Sequence, residues 1–363
     1  MADFKTQKEW EAYCADELAQ VRPLLVEIGI TLDEAQPHIH GERYLMSGRK
    51  LVLLGHMNGS HVAIKTSRDK SGRSEIEREH DSRKILANLR FAYRMFLMPE
   101  ELWYGMRGPY RVMVLNYIEQ ERPFLLRPLV EQFSLALRAF KTQESIHAST
   151  YAHARAIRNQ FGFWSAQTYV RWFSKFHATV LLYDPDNKGL AELLAEARAI
   201  LERESEDVER YCGFLTHEDF ALMNLRTSGD DVYLIDLSSL RFGSKHESWA
   251  RFLNFMLLYN RPLERALLEY VRDNRSEEER SSLRLMRIYK TAELLAYYTQ
   301  AWSNSTGALQ KLSRARIDFW TRVLKKFIAD ADMPDTLIEE YKYTRDSLRS
   351  PDERSRQKEL QQL

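Results

Sequence analysis

Three oxygen-bearing side chains fall within a short stretch of this chain: Asp219, Asn224, and Asp236 at the end of the apolar run Val232-Tyr233-Leu234-Ile235. A carboxylate on a short loop can orient a hydroxyl group and accept its proton. An amide one turn later offers a hard oxygen to a divalent cation. A turn through Ser228-Gly229-Asp230 would bring the chain back, so that Asp236 lies beside Asn224 and two oxygen ligands converge on Mg2+. Such a set suits phosphoryl transfer, where the protein's work is positioning and charge neutralisation. Each residue also has a plain structural use: Asp219 as a helix N-cap, Asn224 as a turn residue, Asp236 in an Asx-turn.

The elements upstream supply a possible partner. Val62-Ala63-Ile64-Lys65 ends a strand-like segment and places a lysine ammonium on a rigid element, a strong partner for phosphate. It could equally be an exposed strand lysine. Glu79 lies on the following helical pattern and can pair with Lys65, with Glu75 and Glu77 as competitors and a solvated helix face as the simpler use. The run from Val112 to Glu119 reads as an apolar strand entering a polar turn with Pro123. Backbone groups there, at Asn116 and Ile118, could meet an adenine edge, or the run could be an edge strand entering a loop.

Taken in order, the chain offers a sheet lysine, a helix glutamate, a connecting strand, a helical region, His217-x-Asp219-x-x-x-x-Asn224 and a strand ending in Asp236. This order resembles the aminoglycoside phosphotransferase and choline kinase group of small-molecule kinases. HEDFALMN is similar to that group's H-G-D-x-x-x-x-N loop, VYLIDLSSLRFG to its strand ending in I-D, and IEREHDSRKIL to its helix with an R-E pair. The likeness in organisation runs over about 43–258 and is specific around Lys65–Glu79 and His217–Asp236. It implies an α+β, protein-kinase-like bilobal fold with a small antiparallel sheet in the N-lobe and a larger, mostly helical C-lobe. It implies Asp219 as the residue that orients the acceptor hydroxyl, Asn224 and Asp236 as Mg2+ ligands, Lys65 on the ATP phosphates and Glu79 as its partner. His217 would support the loop through hydrogen bonds to backbone or to Asp236, or simply pack there. Gly48 belongs to the phosphate-covering turn Met46-Ser47-Gly48-Arg49-Lys50, where Arg49 or Lys50 could assist. The cofactors implied are ATP and Mg2+, and the partner is a small molecule with a hydroxyl group.

Three departures stand out. Glu218 replaces the usual glycine after the histidine and adds a negative charge. Phe220-Ala221-Leu222-Met223 replaces a small or polar run. Ser248 stands near the place of an aspartate that braces the loop. Glu218 and the missing bracing aspartate also allow a nucleotide-binding pseudokinase acting as a regulator or scaffold. Asp236 is followed by Leu237-Ser238, and neither D-F-G nor A-P-E occurs, so a protein kinase is disfavoured.

The elements needed to hold these residues are legible in outline. Apolar positions at helical spacing over 4–28 predict one or two amphipathic helices. A three-strand meander is expected over 43–67, with turns at Ser47-Gly48-Arg49 and Asn58-Gly59. A helix opened by Ser74 follows, then strands at 101–105 and 110–117. Helices are expected near 127–148, 165–181, 189–211, 247–272, 276–302 and 306–331. The units are then 1–40, a helical extension; 41–119, the N-lobe; 120–335, the helical C-lobe; and 336–363, a charged tail whose last stretch, 350–363, is frayed or a solvated helix. Trp164, Trp172, Trp249 and Phe252 have the spacing of core residues. Asp184-Pro185-Asp186-Asn187-Lys188-Gly189 lacks the glutamate of a calcium loop and reads as a helix-linking turn. His38 and His40 lack a third zinc ligand.

The bulk properties bound the rest. The 363 residues are 44% hydrophobic, enough for two lobes with cores. Lys and Arg number 53 against 52 Asp and Glu, so no basic excess points to nucleic acid. No segment approaches a membrane span, and no leader is apparent. Cys14 and Cys212 match no metal spacing, and a reducing, cytoplasmic setting is expected. Nothing in the sequence selects an oligomeric state.

Overall fold

The computed structural model describes residues 6–37, 50–88, 97–146 and 154–362. The chain opens with one helix, α1 (Gln7–Val26), capped by the Thr6 hydroxyl on the Glu9 amide. Then come β1 (Ile30–Leu32), β2 (Leu51–Met57), β3 (Ser60–Ser67), α2 (Lys70–Asn88), β4 (Glu101–Arg107) and β5 (Tyr110–Asn116). The five strands form one antiparallel sheet in the order β1-β2-β3-β5-β4. The expected Asn58-Gly59 hairpin is present, both residues having positive φ (51° and 79°), as a two-residue primed turn requires.

Alternation along the strands explains how the sheet is covered. Val62, Ile64, Val112 and Val114 join Trp10, Cys14, Val21 and Leu25 of α1 in one buried cluster. Met113 and Leu115, on the opposite face of β5, pack with Ile76 of α2. The N-terminal helix therefore covers one face of the sheet, and α2 packs on the other.

The remaining chain is mostly helical. It runs through α3 (Leu129–Glu144), α4 (Ala154–Phe161), α5 (Ala166–Tyr183), α6 (Lys188–Arg203) and α7 (Ser205–Glu209) to β6 (Phe214–His217), β7 (Leu225–Ser228), β8 (Asp231–Leu234) and β9 (Leu240–Gly243). It ends in α8 (His246–Tyr259), α9 (Arg261–Asn274), α10 (Glu277–Asn304), α11 (Gly307–Ile328), α12 (Asp335–Leu348) and α13 (Pro351–Gln362). The four short strands pair as two hairpin-like ribbons, β6 with β9 and β7 with β8. A single large core joins α3 to α12, with Phe140, Phe173, Phe252 and Tyr289 wholly buried.

Several expectations need correction. The helix after β3 starts at Lys70, not Ser74; Asp69 accepts from the Ser71 amide and sets the earlier start. The helix expected over 247–272 is two, because Pro262 cannot continue a helix and Asn260 caps the second through the Leu263 amide. The helix expected over 189–211 breaks at Glu204. The first sheet strand is Ile30–Leu32, a stretch too short for its alternation to register. The first strand of the expected meander, the turn at Gly48, and His38 and His40 lie outside the described residues. Asp184-to-Gly189 is the expected helix-linking turn, with Asn187 capping α6 and Arg314 on Asp184. Trp249 and Phe252 are core residues, whereas Trp172 is 38% exposed. Cys14 and Cys212 are buried and unbridged. No described helix is long and apolar enough to cross a membrane.

Candidate active site

The two ribbons carry the site. Pairing of Leu225 with Leu234 puts Asn224 opposite Ile235, and the Ile235 amide donates to the Asn224 carbonyl at 3.0 Å. Asp236 follows directly, in the left-handed region at φ 60°. That conformation is costly for most residues and is best tolerated by Asn, Asp and Gly. It turns the chain sharply between β8 and the short helical turn at Leu237–Ser239.

Across the cleft stands Lys65. Its ammonium lies 2.5 Å from Glu79 Oε2 and 3.4 Å from Asp236 Oδ1. Glu79 is fully buried, and its other oxygen accepts from Arg83 at 3.0 Å. The two competing glutamates are engaged elsewhere: Glu75 with Lys50 at 3.3 Å and Glu77 with Arg111. Lys50 also reaches Asp236 Oδ1 at 3.3 Å, and the Ser238 hydroxyl donates to the same oxygen at 2.8 Å. Burial alone would raise the Asp236 carboxyl. Lys50 and then Lys65 outweigh it and hold that carboxyl well below the usual carboxylate range. Glu79 follows the same pattern, raised by burial and brought down chiefly by Lys65.

The donor chemistry is compatible with a magnesium ion. Three donors crowd Asp236 Oδ1, while Oδ2 has none among the described residues. The Asn224 amide NH2 donates to Asp219 O (2.8 Å) and Asp219 Oδ2 (3.1 Å), which leaves its carbonyl oxygen for another partner. A hard dication takes such a carboxylate and carboxamide pair and fills the remaining positions with water and phosphate.

Asp219 sits at the mouth of this group, its side chain 39% exposed. Arg251, from α8, contacts its Oδ1 through both Nε and Nη2 at 2.8 Å. Burial raises this carboxyl, and the opposing positive charges, Arg251 foremost, together bring it below its ordinary value. Arg251 carries no motif signal in the sequence, because only the packing of α8 brings it to Asp219. His217 is fully buried, and its Nε2 lies 3.0 Å from the Asp236 carbonyl and 3.2 Å from that of Ile235. It thus links the loop to the strand end through backbone. Asn116 ends β5 and uses its side chain on the Glu100 amide. The Ile118 amide has no hydrogen-bond partner among the described residues. Gly48 lies outside the described residues.

The departures noted in the sequence find physical counterparts. The Glu218 charge is matched by Arg241 at 2.8 Å. Ser248 does with a hydroxyl what a bracing carboxylate would do: its Oγ accepts from the His217 amide at 2.9 Å and lies 2.8 Å from Thr216 Oγ1. Its own amide donates to Thr216 Oγ1 at 3.2 Å. Ser248→Ala leaves the buried His217 amide without an acceptor and is expected to cost about 2 kcal/mol of stability. Amide hydrogen exchange at His217 should accelerate in that variant; unchanged exchange would remove Ser248 from this role.

Beside it, Glu247 is fully buried between Arg241 and the Tyr169 hydroxyl (2.7 Å), with Lys290 at 3.9 Å. Burial raises its carboxyl, and Arg241 and Lys290 bring it below the ordinary value. A carboxylate depressed in the folded state adds stability that is complete above its unfolded value, about 4.3 for Glu, and is lost as pH falls through the folded value. Glu247→Gln is therefore expected to cost about 3 kcal/mol at pH 7. In urea titrations the gap from the native chain should narrow below about pH 4; a gap constant with pH would deny the ionic contribution.

No protein-family model matches this chain, and no curated protein matches it in sequence. Solved structures do match, and they define the class: a kinase-like fold with an antiparallel sheet lobe and a helical lobe. The fold is that of the aminoglycoside phosphotransferases. An apo structure of a thermostable mutant of aminoglycoside phosphotransferase APH(4)-Ia has a TM-score of 0.60 at 15% identity, covering 85% of this chain and 99% of that one. The GDP and kanamycin complex of APH(2")-IIia gives 0.59 at 13% identity, covering 87% and 99%. The streptomycin-ATP-APH(2")-IIa ternary complex gives 0.54 at 13% identity, covering 85% and 98%. At these identities the likeness establishes the fold, and the chemistry rests on the site's own residues.

Proposed function

We propose that this protein is an ATP-dependent phosphotransferase acting on a hydroxyl group of a small molecule. The observation that carries the reading is the convergence of Lys65 from the sheet with Asp236 and Asn224 from the β7–β8 ribbon, at the cleft where Asp219 stands. In the matched structures the same fold holds nucleotides and aminoglycosides: ATP with streptomycin, and AMP-PNP with hygromycin B.

Lys65, held by Glu79, neutralises phosphate charge. Asn224 and Asp236 would hold Mg2+, which when bound offsets charge on the triphosphate oxygens. Asp219 accepts a hydrogen bond from the acceptor hydroxyl and aims its oxygen at the γ-phosphorus. As the new O–P bond forms and the bond to the ADP oxygen breaks, the hydroxyl proton passes to Asp219. Its depressed carboxyl makes it a weak base, which suits a loose transition state in which alignment precedes proton loss. The two departures that favoured an inactive scaffold are met by Arg241 on Glu218 and by Ser248 on the loop backbone.

A panel of aminoglycosides, sugars, amino alcohols and nucleosides, assayed for acceptor-dependent ADP release with Mg·ATP, tests the reading. One acceptor converted to its phosphate ester supports it. Tight Mg·ATP binding with no turnover across the panel would favour the scaffold instead.

A further inference from the structure

Arg241, Lys290 and Arg251 stand among the carboxylates beside the catalytic loop, and their partners differ. Arg241 lies between Glu218 and the fully buried Glu247. Lys290 lies between Glu247 (3.9 Å) and Glu293. Arg251 faces Asp219 alone: Nε and Nη2 both contact Oδ1 at 2.8 Å, and Nη1 has no partner among the described residues. Its side chain is 17% exposed, so little water compensates the rest of its charge. A guanidinium presents five N–H donors in a rigid fork. One edge of this fork, Nε with Nη2, is spent on Asp219. The end of the fork, Nη1 with the outer hydrogen of Nη2, is left for a second anion, which it can hold through two parallel bonds.

The acceptor hydroxyl bonds Asp219, so the atoms next to that hydroxyl meet the same guanidinium. Asp219 Oδ2 accepts from Asn224 at 3.1 Å and keeps a lone pair for the hydroxyl. The carboxylates that would draw an ammonium group are already matched by cations of the chain. Glu218 is held by Arg241 at 2.8 Å. Glu293, within electrostatic reach of Arg251 and Glu218, is held by Lys290. An acceptor with a positive group would have to displace one of these pairs; one with a negative group displaces nothing.

We propose that the acceptor carries an anionic group, a carboxylate or a phosphate monoester, beside its reacting hydroxyl, and that Arg251 binds it. This rests on the phosphotransferase reading and names the chemical class of its acceptor. Arg251 then grips Asp219 with one edge and the acceptor with the other, which fixes the hydroxyl against Asp219. The second anion gives Arg251 two counter-charges, as Arg241 and Lys290 already have.

The test compares kcat/KM for acceptors that differ only in charge, using Mg·ATP and the full chain: glycerol, serinol, glycerate and glycerol phosphate, and glucose, glucosamine, gluconate and glucose phosphate. The native chain is expected to favour an anionic member over its uncharged parent by between about ten- and a hundredfold, the worth of a charge-assisted hydrogen bond. The carboxylate and phosphate arms show which anion is meant. In Arg251→Gln that preference should fall to about one, and Arg251→Lys, a point charge without the fork, should keep part of it. Mg·ADP titration shows that each variant is folded. A native preference for the uncharged or ammonium member overturns the inference, as does a loss in Arg251→Gln that is equal for both members of a pair, which is the mark of a residue that only steadies Asp219. Either result leaves the phosphotransferase reading standing. No transfer to any member of either series overturns the inference too, and if the wider panel also yields no phosphate ester, the phosphotransferase reading falls with it.

Discussion

Asp219→Asn is expected to lower phosphoryl transfer about a thousandfold while leaving Mg·ADP affinity unchanged. The amide keeps the size of the carboxylate and an oxygen for Arg251; it gives up the bond from Asn224 to the second carboxylate oxygen, but the Asn224 NH2 still donates to the backbone carbonyl of residue 219, so the loop should hold its shape. It can still point an acceptor hydroxyl, but it cannot take its proton or carry negative charge beside it. The loss should therefore fall on kcat, because the interaction strengthens only as the hydroxyl reacts. Initial rates with the best acceptor of the panel, beside Mg·ADP titrations, separate the two effects. Transfer at the native rate in this variant would remove Asp219 from the chemistry.

Lys65→Met is expected to act on folding and on catalysis together. Methionine fills the same channel but leaves the fully buried Glu79 with Arg83 alone. Breaking one side of a buried ion pair costs about 3 kcal/mol at the low end, and Arg83 keeps the loss near that end. Asp236 retains Lys50 and Ser238, so its turn should persist. A charge-assisted bond to phosphate contributes about 1.5–3 kcal/mol, which corresponds to a loss of nucleotide affinity of roughly ten- to a hundredfold. Urea unfolding and Mg·ADP titration of the one variant measure both. If stability drops while nucleotide affinity holds, Lys65 is a structural partner of Glu79 and not a phosphate ligand.

How much of this was legible beforehand depended on range. The Asn58-Gly59 turn, the strand bearing Lys65 and the helix bearing Glu79 are written in local patterns, and all three formed, although the strand runs on to Ser67 and the helix opens at Lys70. Helix ends were less legible where two signals competed. Pro262 and Asn260 divide a continuous apolar pattern, and these local signals prevail: proline cannot continue the first helix, and the Asn260 cap starts the next. The strands of four residues or fewer, β1, β6, β7, β8 and β9, were the hardest to find in the sequence. Only the apolar run of β8 stood out, and β9 is buried along its whole length, which leaves no alternation to read.

The sequence by itself determined the inventory and its order: a lysine, a glutamate, two aspartates and an asparagine, each on an element of stated type. Periodicity and turn chemistry are properties of neighbouring residues, so they can be read without a fold. Only the tertiary structure decided which charges meet. Lys50 reaches Asp236 across 186 residues, Arg251 reaches Asp219 across 32, and Ser248 reaches the His217 amide across 31. It also decided that Glu218 is neutralised by Arg241. Such pairings follow from how the lobes and ribbons pack, and burial then sets the strength of each one, because a charge shielded from water feels its few neighbours more than the solvent.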